Sequence, residues 1–267
     1  MNIAGEKSAI EKDVVVTGVS TGIGWGTTKV LISKGFRVFG SVRKQADADR
    51  LQKEFGNGFV PLMMDITDAD AVHQAAQKVG SMIGDRNLVG LVNNAGIVVS
   101  GPLLYLRPSE YRRQLEVNMI SPLVVIQTFA RLLGTDKKRQ GPTARIVNIS
   151  STGAKVAIPL IGAYSSSKAG LEGMSDALRQ ELMLFSMDLV IIEPGTPKPV
   201  QTAYPLSVLA KLSTRHSARR NRKHGMQPFH NVSRTGLCPD FFLRGCSTPT
   251  SQSKWDSKSR SQPGTVS

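Results

Sequence analysis

Cysteine is nearly missing from this chain. Of 267 residues only Cys238 and Cys246 carry thiols, both near the C-terminal end and without C-x-x-C spacing. That excludes a disulfide scaffold and a cysteine-built metal site, and it suits a cytoplasmic protein with incidental thiols and no metal. Long hydrophobic runs are also missing: nothing approaches the ~18–20 apolar residues that span a bilayer. The opening segment, "MNIAGEKSAIEKD", has no apolar stretch of the signal-peptide kind, so secretion is not expected. No internal repeat is visible. Acidic residues are scarce, 20 against 34 Lys and Arg, for a formal net charge of +14. Spread over a fold, such a charge would suggest a nucleic-acid partner. It is not spread: residues 196–267 hold 12 Lys and Arg against 2 Asp and Glu, which leaves 22 against 18 for residues 1–195. The basic residues of that final stretch lie among Ser and Pro without interleaved aromatics for base stacking, so neither nucleic acid nor membrane is expected as a partner.

What is present, before Gly195, is a regular alternation. Short Val/Ile/Leu-rich runs occur at 13–18, 36–42, 58–65, 87–96, 144–151 and 187–195. They do not alternate polar with apolar, which is the pattern of strands covered on both faces. Amphipathic segments lie between them, near 22–34, 47–55, 67–83, 107–133 and 163–185. Gly35 stands where a helix-ending glycine belongs, and Thr67 or Asp68 could cap the third helix. Repeated β-α units with right-handed crossovers predict an α/β fold, a single doubly wound parallel sheet. After Gly195 the pattern stops. The last 72 residues carry 7 Pro and 11 Ser, and only 207–212 and 240–245 could form short elements. The reading is therefore one doubly wound α/β domain over 1–195 and an atypical, disordered, basic tail over 196–267, a break of the kind an alternative C-terminus would produce.

Chemistry concentrates at the carboxyl ends of the predicted strands, the edge that forms the ligand crevice in such sheets. "TGVSTGIG" (17–24) follows the first strand and opens the first helix. Glycines there permit a tight turn and let backbone N–H groups approach a pyrophosphate. The second strand ends in "GSVRK", with no carboxylate to hold a ribose 2′-hydroxyl; Arg43 can instead grip a 2′-phosphate, which favours NADP(H), with NAD(H) possible. Tyr164 and Lys168 are four apart on one helix face, in "GAYSSSKAG". A phenol ionises near ~10 and is a weak catalyst at neutral pH unless a cation stabilises the phenolate. Ser151 ends the fifth strand. Singly, these have ordinary explanations: an N-cap serine, a surface lysine, a buried tyrosine with a satisfied hydroxyl.

Together, Thr17-Gly18, Gly22-Ile23-Gly24, Asp65, Asn93-Asn94-Ala95-Gly96, Asn118, Ser151, Tyr164, Lys168 and Pro194-Gly195 make residues 12–195 resemble the short-chain dehydrogenase/reductase family. More loosely, "GSVRK" and "LVGLVNNAGI" resemble its hydroxysteroid and retinol dehydrogenase-like members, implying a lipophilic alcohol or ketone. The resemblance implies a single Rossmann domain over 1–195 that binds NADP(H), with the family's strand order 3-2-1-4-5-6-7 reduced here to 3-2-1-4-5-6, and an oxidoreductase that interconverts a carbonyl and a secondary alcohol. It implies Tyr164 as acid–base, Lys168 at the nicotinamide ribose, Ser151 on the substrate oxygen and Asn118 anchoring a water. Thr17, Gly18, Ser20, Gly22, Ile23, Gly24, Arg43, Asp65, Ile66, Asn93, Ala95, Gly96, Pro194 and Gly195 would complete the cofactor site. The helices at 107–133 and 163–185 resemble those that pair subunits, implying a homodimer or homotetramer. The family pattern P-G-x-[IV]-x-T is broken here by Pro197 and Pro199, with Thr202 three residues late. That, and the missing seventh strand, make a cofactor-binding but catalytically impaired variant the rival expectation.

Overall fold

Valines 14, 15 and 16 in succession are each 3% exposed or less, a run that only a strand covered on both faces can bury. They belong to β1 (Lys12–Val16), the middle of a sheet in a computed structural model that describes residues 12–195. The Pro197, Pro199 and Thr202 departures, both cysteines, the segments 207–212 and 240–245, the seventh strand and the reading of 196–267 as a disordered tail lie outside the described residues. All described residues fall in one unit, Met1–Thr202.

In chain order the elements are β1, α1 (Gly22–Ser33), β2 (Phe36–Val42), α2 (Gln45–Phe55), β3 (Phe59–Met63), α3 (Ala69–Ile83) and β4 (Gly90–Asn93). Then come α4 (Pro108–Leu115), α5 (Ser121–Ala130), β5 (Arg145–Ile149), α6 (Gly162–Leu182) and β6 (Asp188–Ile192). The strands are all parallel and lie in the order β3-β2-β1-β4-β5-β6, as the sequence implied. Successive β1 side chains point to opposite faces. Val15 joins a core with Phe39, Leu62, α3, α5 and the end of α6; Val14 and Val16 join another with Leu51, Phe59 and α1.

Local signals mostly act where expected. Gly35 follows α1 at φ +81°, and Asp68, rather than Thr67, caps α3 by accepting from Asp70 N and Ala71 N at 3.0 and 3.1 Å. Thr67 instead donates from N and Oγ1 to Asp65.

Three sequence expectations need correction. The strands are shorter than the apolar runs, because residues such as Thr17, Gly18 and Asn94 have already turned out of the ladder. The single helix expected over 107–133 is two α-helices joined by a π-helical stretch, Glu116–Ile120, and ends in another, Arg131–Thr135. Finally, the continuous span Pro108–Thr135 is long and apolar enough by length and composition to cross a membrane. Its apolar side chains Val125, Ile126, Phe129 and Leu133 are 4% exposed or less and belong to the core, which accounts for that composition.

At the opposite end of the sheet, Asp13 on β1 is fully buried between two guanidinium groups. Arg37 Nε donates to its Oδ1 at 2.7 Å and Arg86 Nη1 lies 3.1 Å from Oδ2.

Candidate functional site

The chain reverses its winding between β1 and β4, and a cleft of about 800 Å³ opens beyond the carboxyl ends of the strands there. Of the residues singled out from sequence, Gly18, Ser20 and Ile23 line it from the first loop, and Arg43, Asp65 and Ile66 from the ends of β2 and β3. Ala95 and Gly96 line it from the end of β4.

The glycine loop is shaped by close approach. Gly18 has φ +69°, and a Cβ on it would stand 2.8 Å from Ala95 Cα. A Cβ on Gly24 would collide with the Gly18 carbonyl and the Asn94 amide, so the first turn of α1 packs directly on the loop. Thr21 at the N-terminus of α1 makes no side-chain cap, and the first turn holds no acidic residue. A helix start of that kind, facing a cleft, suits an anionic group.

Other members of the motif work as framework. Thr17 is buried: its Oγ1 accepts from Asn94 N and Ala95 N, both at 3.0 Å, and lies 3.4 Å from Val92 O as a donor. Asn93, 4% exposed, donates to Asn148 Oδ1 at 2.9 Å. Neither lines the cleft; their side chains tie β1, β4 and β5 together. Gly22, Gly24, Pro194 and Gly195 are not on its wall either. The Pro194 carbonyl accepts from Thr152 N at 3.2 Å, which places the end of β6 beside Ser151.

Sequence reasoning missed residues that do line the cleft: Thr21, Ser41, Asn94, Arg112, Arg113 and Val117 among them. Asn94 stood inside the motif, and its Nδ2 donates to the carbonyls of Thr17 and Gly18 at 2.9 Å. The arginines on α4 carried no local signal; only the tertiary fold brings that helix over the cleft.

Arg43 and Asp65 face each other at 3.9 Å across the mouth. Partial burial works to raise the Asp65 carboxyl, but hydrogen bonds from Thr67 and the Arg43 charge outweigh it and hold it below the usual carboxylate range.

Ser151, Tyr164, Lys168 and Asn118 are not on the cleft wall; they gather behind it, at Gly153 and Gly96. Ser151 Oγ accepts from Gly153 N at 3.0 Å, capping a short 3₁₀ turn (Thr152–Ala154) and leaving its own proton to donate elsewhere. A Cβ on Gly153 would lie 3.4 Å from both Ser151 Oγ and Tyr164 Cε1, so the two side chains flank the same spot. Tyr164 is half-buried, and among the described residues its hydroxyl makes no hydrogen bond, whereas Tyr111 donates to Ser166 Oγ at 2.8 Å. Lys168, 5% exposed, places Nζ 5.9 Å from the Tyr164 ring centre and donates to Ile149 O at 2.6 Å. Burial drives its ammonium down from the ordinary 10.5 to about 8, with the Glu172 carboxylate opposing. A Cβ on Gly96 would stand 3.8 Å from Lys168 Nζ and 3.2 Å from Asn118 Oδ1, so Gly96 joins the cleft to this group. The Asn118 side chain is tied to its neighbours: Oδ1 accepts from Ile97 N, and Nδ2 donates to Ile97 O and Ser167 Oγ.

The model of the short chain dehydrogenase family matches residues 12–204. The chain belongs to the short-chain dehydrogenase family. Its family relatives include the NADPH-dependent 3-dehydrocapnine reductase of Ornithobacterium rhinotracheale, 42% identical over 190 residues, 70% of this chain and 65% of that protein. The 17-beta-hydroxysteroid dehydrogenase type 6 of Mus musculus is 35% identical over 201 residues, 74% of this chain and 61% of that one. Among solved structures, an NADPH-bound carbonyl reductase from chicken fatty liver superimposes with a TM-score of 0.63 at 26% identity, covering 69% of this chain and 79% of that chain. This member of the family spans less than two thirds of the length of the curated relatives it matches.

Proposed function

We propose that this chain is an NADP(H)-dependent oxidoreductase that interconverts a carbonyl and a secondary alcohol, with Tyr164 as its acid–base. One observation carries the reading: a tyrosine hydroxyl with no hydrogen bond among the described residues and a serine with a proton to give flank Gly153, and the lysine buried near that tyrosine stands behind Gly96, which lines a dinucleotide-sized cleft. The residues present fit the cofactor. The close-packed glycine loop and the uncapped start of α1 suit a pyrophosphate, Asp65 and Ile66 suit the adenine, and Arg43 suits a 2′-phosphate. Bound there, the nicotinamide supplies or accepts the hydride. Tyr164 gives a proton to the substrate oxygen in reduction and takes it back in oxidation. Ser151 donates a hydrogen bond to the same oxygen as charge builds on it. Lys168 holds positive charge beside the tyrosine, and Asn118 fixes the Ile97 backbone that borders the nicotinamide end.

The test is thermal unfolding with saturating NADPH and, in parallel, NADH. A ligand at ~100 times its dissociation constant adds ~2.7 kcal/mol to the folded state. A transition raised by both, and more by NADPH, is expected. Arg43→Ala should weaken NADPH roughly tenfold and leave NADH unchanged, since an exposed guanidinium–phosphate pair is partly screened. Equal loss for both cofactors would remove Arg43 from 2′-phosphate recognition. The rival reading, cofactor binding without turnover, rests on the Pro197 and Pro199 departures; a cofactor-stabilised protein that reduces none of a panel of aldehydes and ketones would favour it.

A further inference from the structure

Glu172 lies one helical turn beyond Lys168 on α6 and is only 6% exposed. Carboxylates are seldom buried without partners, and this one has two. Ser150 Oγ donates to its Oε1 at 2.5 Å, and Lys155 Nζ lies 2.6 Å from Oε2. Lys155 also reaches Glu193 Oε1 at 3.4 Å, next to Pro194 at the end of β6. The chain of contacts thus runs from β5 to β6 through the turn that carries Ser151, and its buried member stands beside Lys168. None of these four residues lines the cleft or borders Gly96 and Gly153 as the Tyr164 group does.

We propose that Glu172 is a positioning residue for Lys168: held against β5 at Ser150, next to the Ile149 carbonyl that binds the Lys168 ammonium, its carboxylate compensates that buried charge and so keeps it in place beside Tyr164. The proposal rests on the oxidoreductase reading for its purpose, though not for its physics. Other groups around Lys168 do not substitute for it. On its own helix stands Tyr164; β5 offers the Ile149 carbonyl; the turn after β5 offers Lys155, a like charge; β6 offers Glu193, already paired with Lys155. From α4, Tyr111 is bonded to Ser166, and Glu116 of the π-helical stretch faces the cleft. Among the described residues, Glu172 is the carboxylate whose charge acts on Lys168, against the burial that would neutralise it.

Glu172 and its partner Lys155 must act on Lys168 with opposite signs. Removing the carboxylate, Glu172→Gln, removes an attraction and should lower the Lys168 titration midpoint. Removing the clamp charge, Lys155→Met, removes a repulsion and leaves Glu172 less neutralised, and should raise it. The full chain labelled with [13Cε]lysine would be titrated by NMR from neutral to alkaline pH, with the Lys168 signal assigned by its loss in Lys168→Met. A midpoint moved roughly tenfold in dissociation constant, down in Glu172→Gln and up in Lys155→Met, is expected. A structural role alone would leave both unmoved or move both the same way, and either result overturns the proposal. If Glu172→Gln does not unfold cooperatively, Lys155→Met carries the test alone, and an unmoved or lowered midpoint overturns it. The readout needs no turnover: shifts of opposite sign in a chain that oxidises no NADPH would sustain the Glu172–Lys168 coupling while the oxidoreductase reading fails.

Discussion

Tyr164→Phe is expected to lower kcat by roughly 10²–10⁴-fold while cofactor binding survives, the loss typical when a positioned acid–base is removed. The substitution deletes one oxygen from a half-buried ring. The ring keeps its packing against Gly153 and its place near Lys168, because both involve carbon atoms. The hydroxyl makes no hydrogen bond among the described residues, so its removal leaves no buried partner unsatisfied, and stability should change little. A structural tyrosine gives the reverse pattern, with stability lost and turnover spared. Two measurements on the same protein separate the alternatives: steady-state NADPH oxidation with a carbonyl substrate, and the cofactor-induced rise in unfolding temperature. Retained turnover in Tyr164→Phe would remove Tyr164 from the chemistry, and loss of the cofactor effect would make it a binding residue.

The largest expected loss of stability lies far from the cleft. Asp13→Ala should destabilise the fold by about 3–5 kcal/mol, because it breaks a buried ion cluster and removes the carboxylate on which Arg37 and Arg86 converge. Domains of this kind hold only about 5–15 kcal/mol in all. Asp13 is fully buried, whereas the Arg37 and Arg86 side chains are 19% and 33% exposed, so water reaches part of each and the lower end of the range is expected. Asp13→Asn, which keeps the shape and one acceptor, should cost less than alanine. Urea unfolding measures both. A loss below ~1 kcal/mol for alanine would mean that the cluster behaves as an ordinary surface pair.

The sheet was legible because its evidence is local. Unbroken Val and Ile runs mark strands buried on both faces, and β-α spacing with right-handed crossovers leaves few orders for them. The glycine loop was legible for the same reason: turn, loop and helix start occupy eight consecutive residues. Reading stopped where tertiary contact decides. Thr17 and Asn93 sit inside motifs, yet a motif mixes residues that meet the ligand with residues that hold the others in place, and spacing does not tell them apart. Arg112 and Arg113 reach the cleft only because α4 crosses it. Glu172 was within reach, four residues beyond Lys168 on the same face, but its importance comes from Ser150 and Lys155, which belong to other elements. The π-helical stretch at Glu116–Ile120 has no compositional mark at all.

That stretch has an effect on the wall of the cleft. It carries one of two side-chain amides, Asn118, the other being Gln114 at the end of α4; both turn inward, 1% and 0% exposed. Asn118 accepts from Ile97 N and donates to Ile97 O; Gln114 accepts from Val99 N and donates to Ile97 O. A primary amide offers the same donor and acceptor as a peptide group. Read along the chain, the helix is impersonating a neighbouring strand, supplying the segment beyond β4 with the ladder its backbone lost on leaving the sheet. A carboxylate in either place would keep the acceptor and lose the donor, facing the Ile97 carbonyl with a second oxygen. Shape alone would not preserve that edge of the site; it depends on the nitrogen.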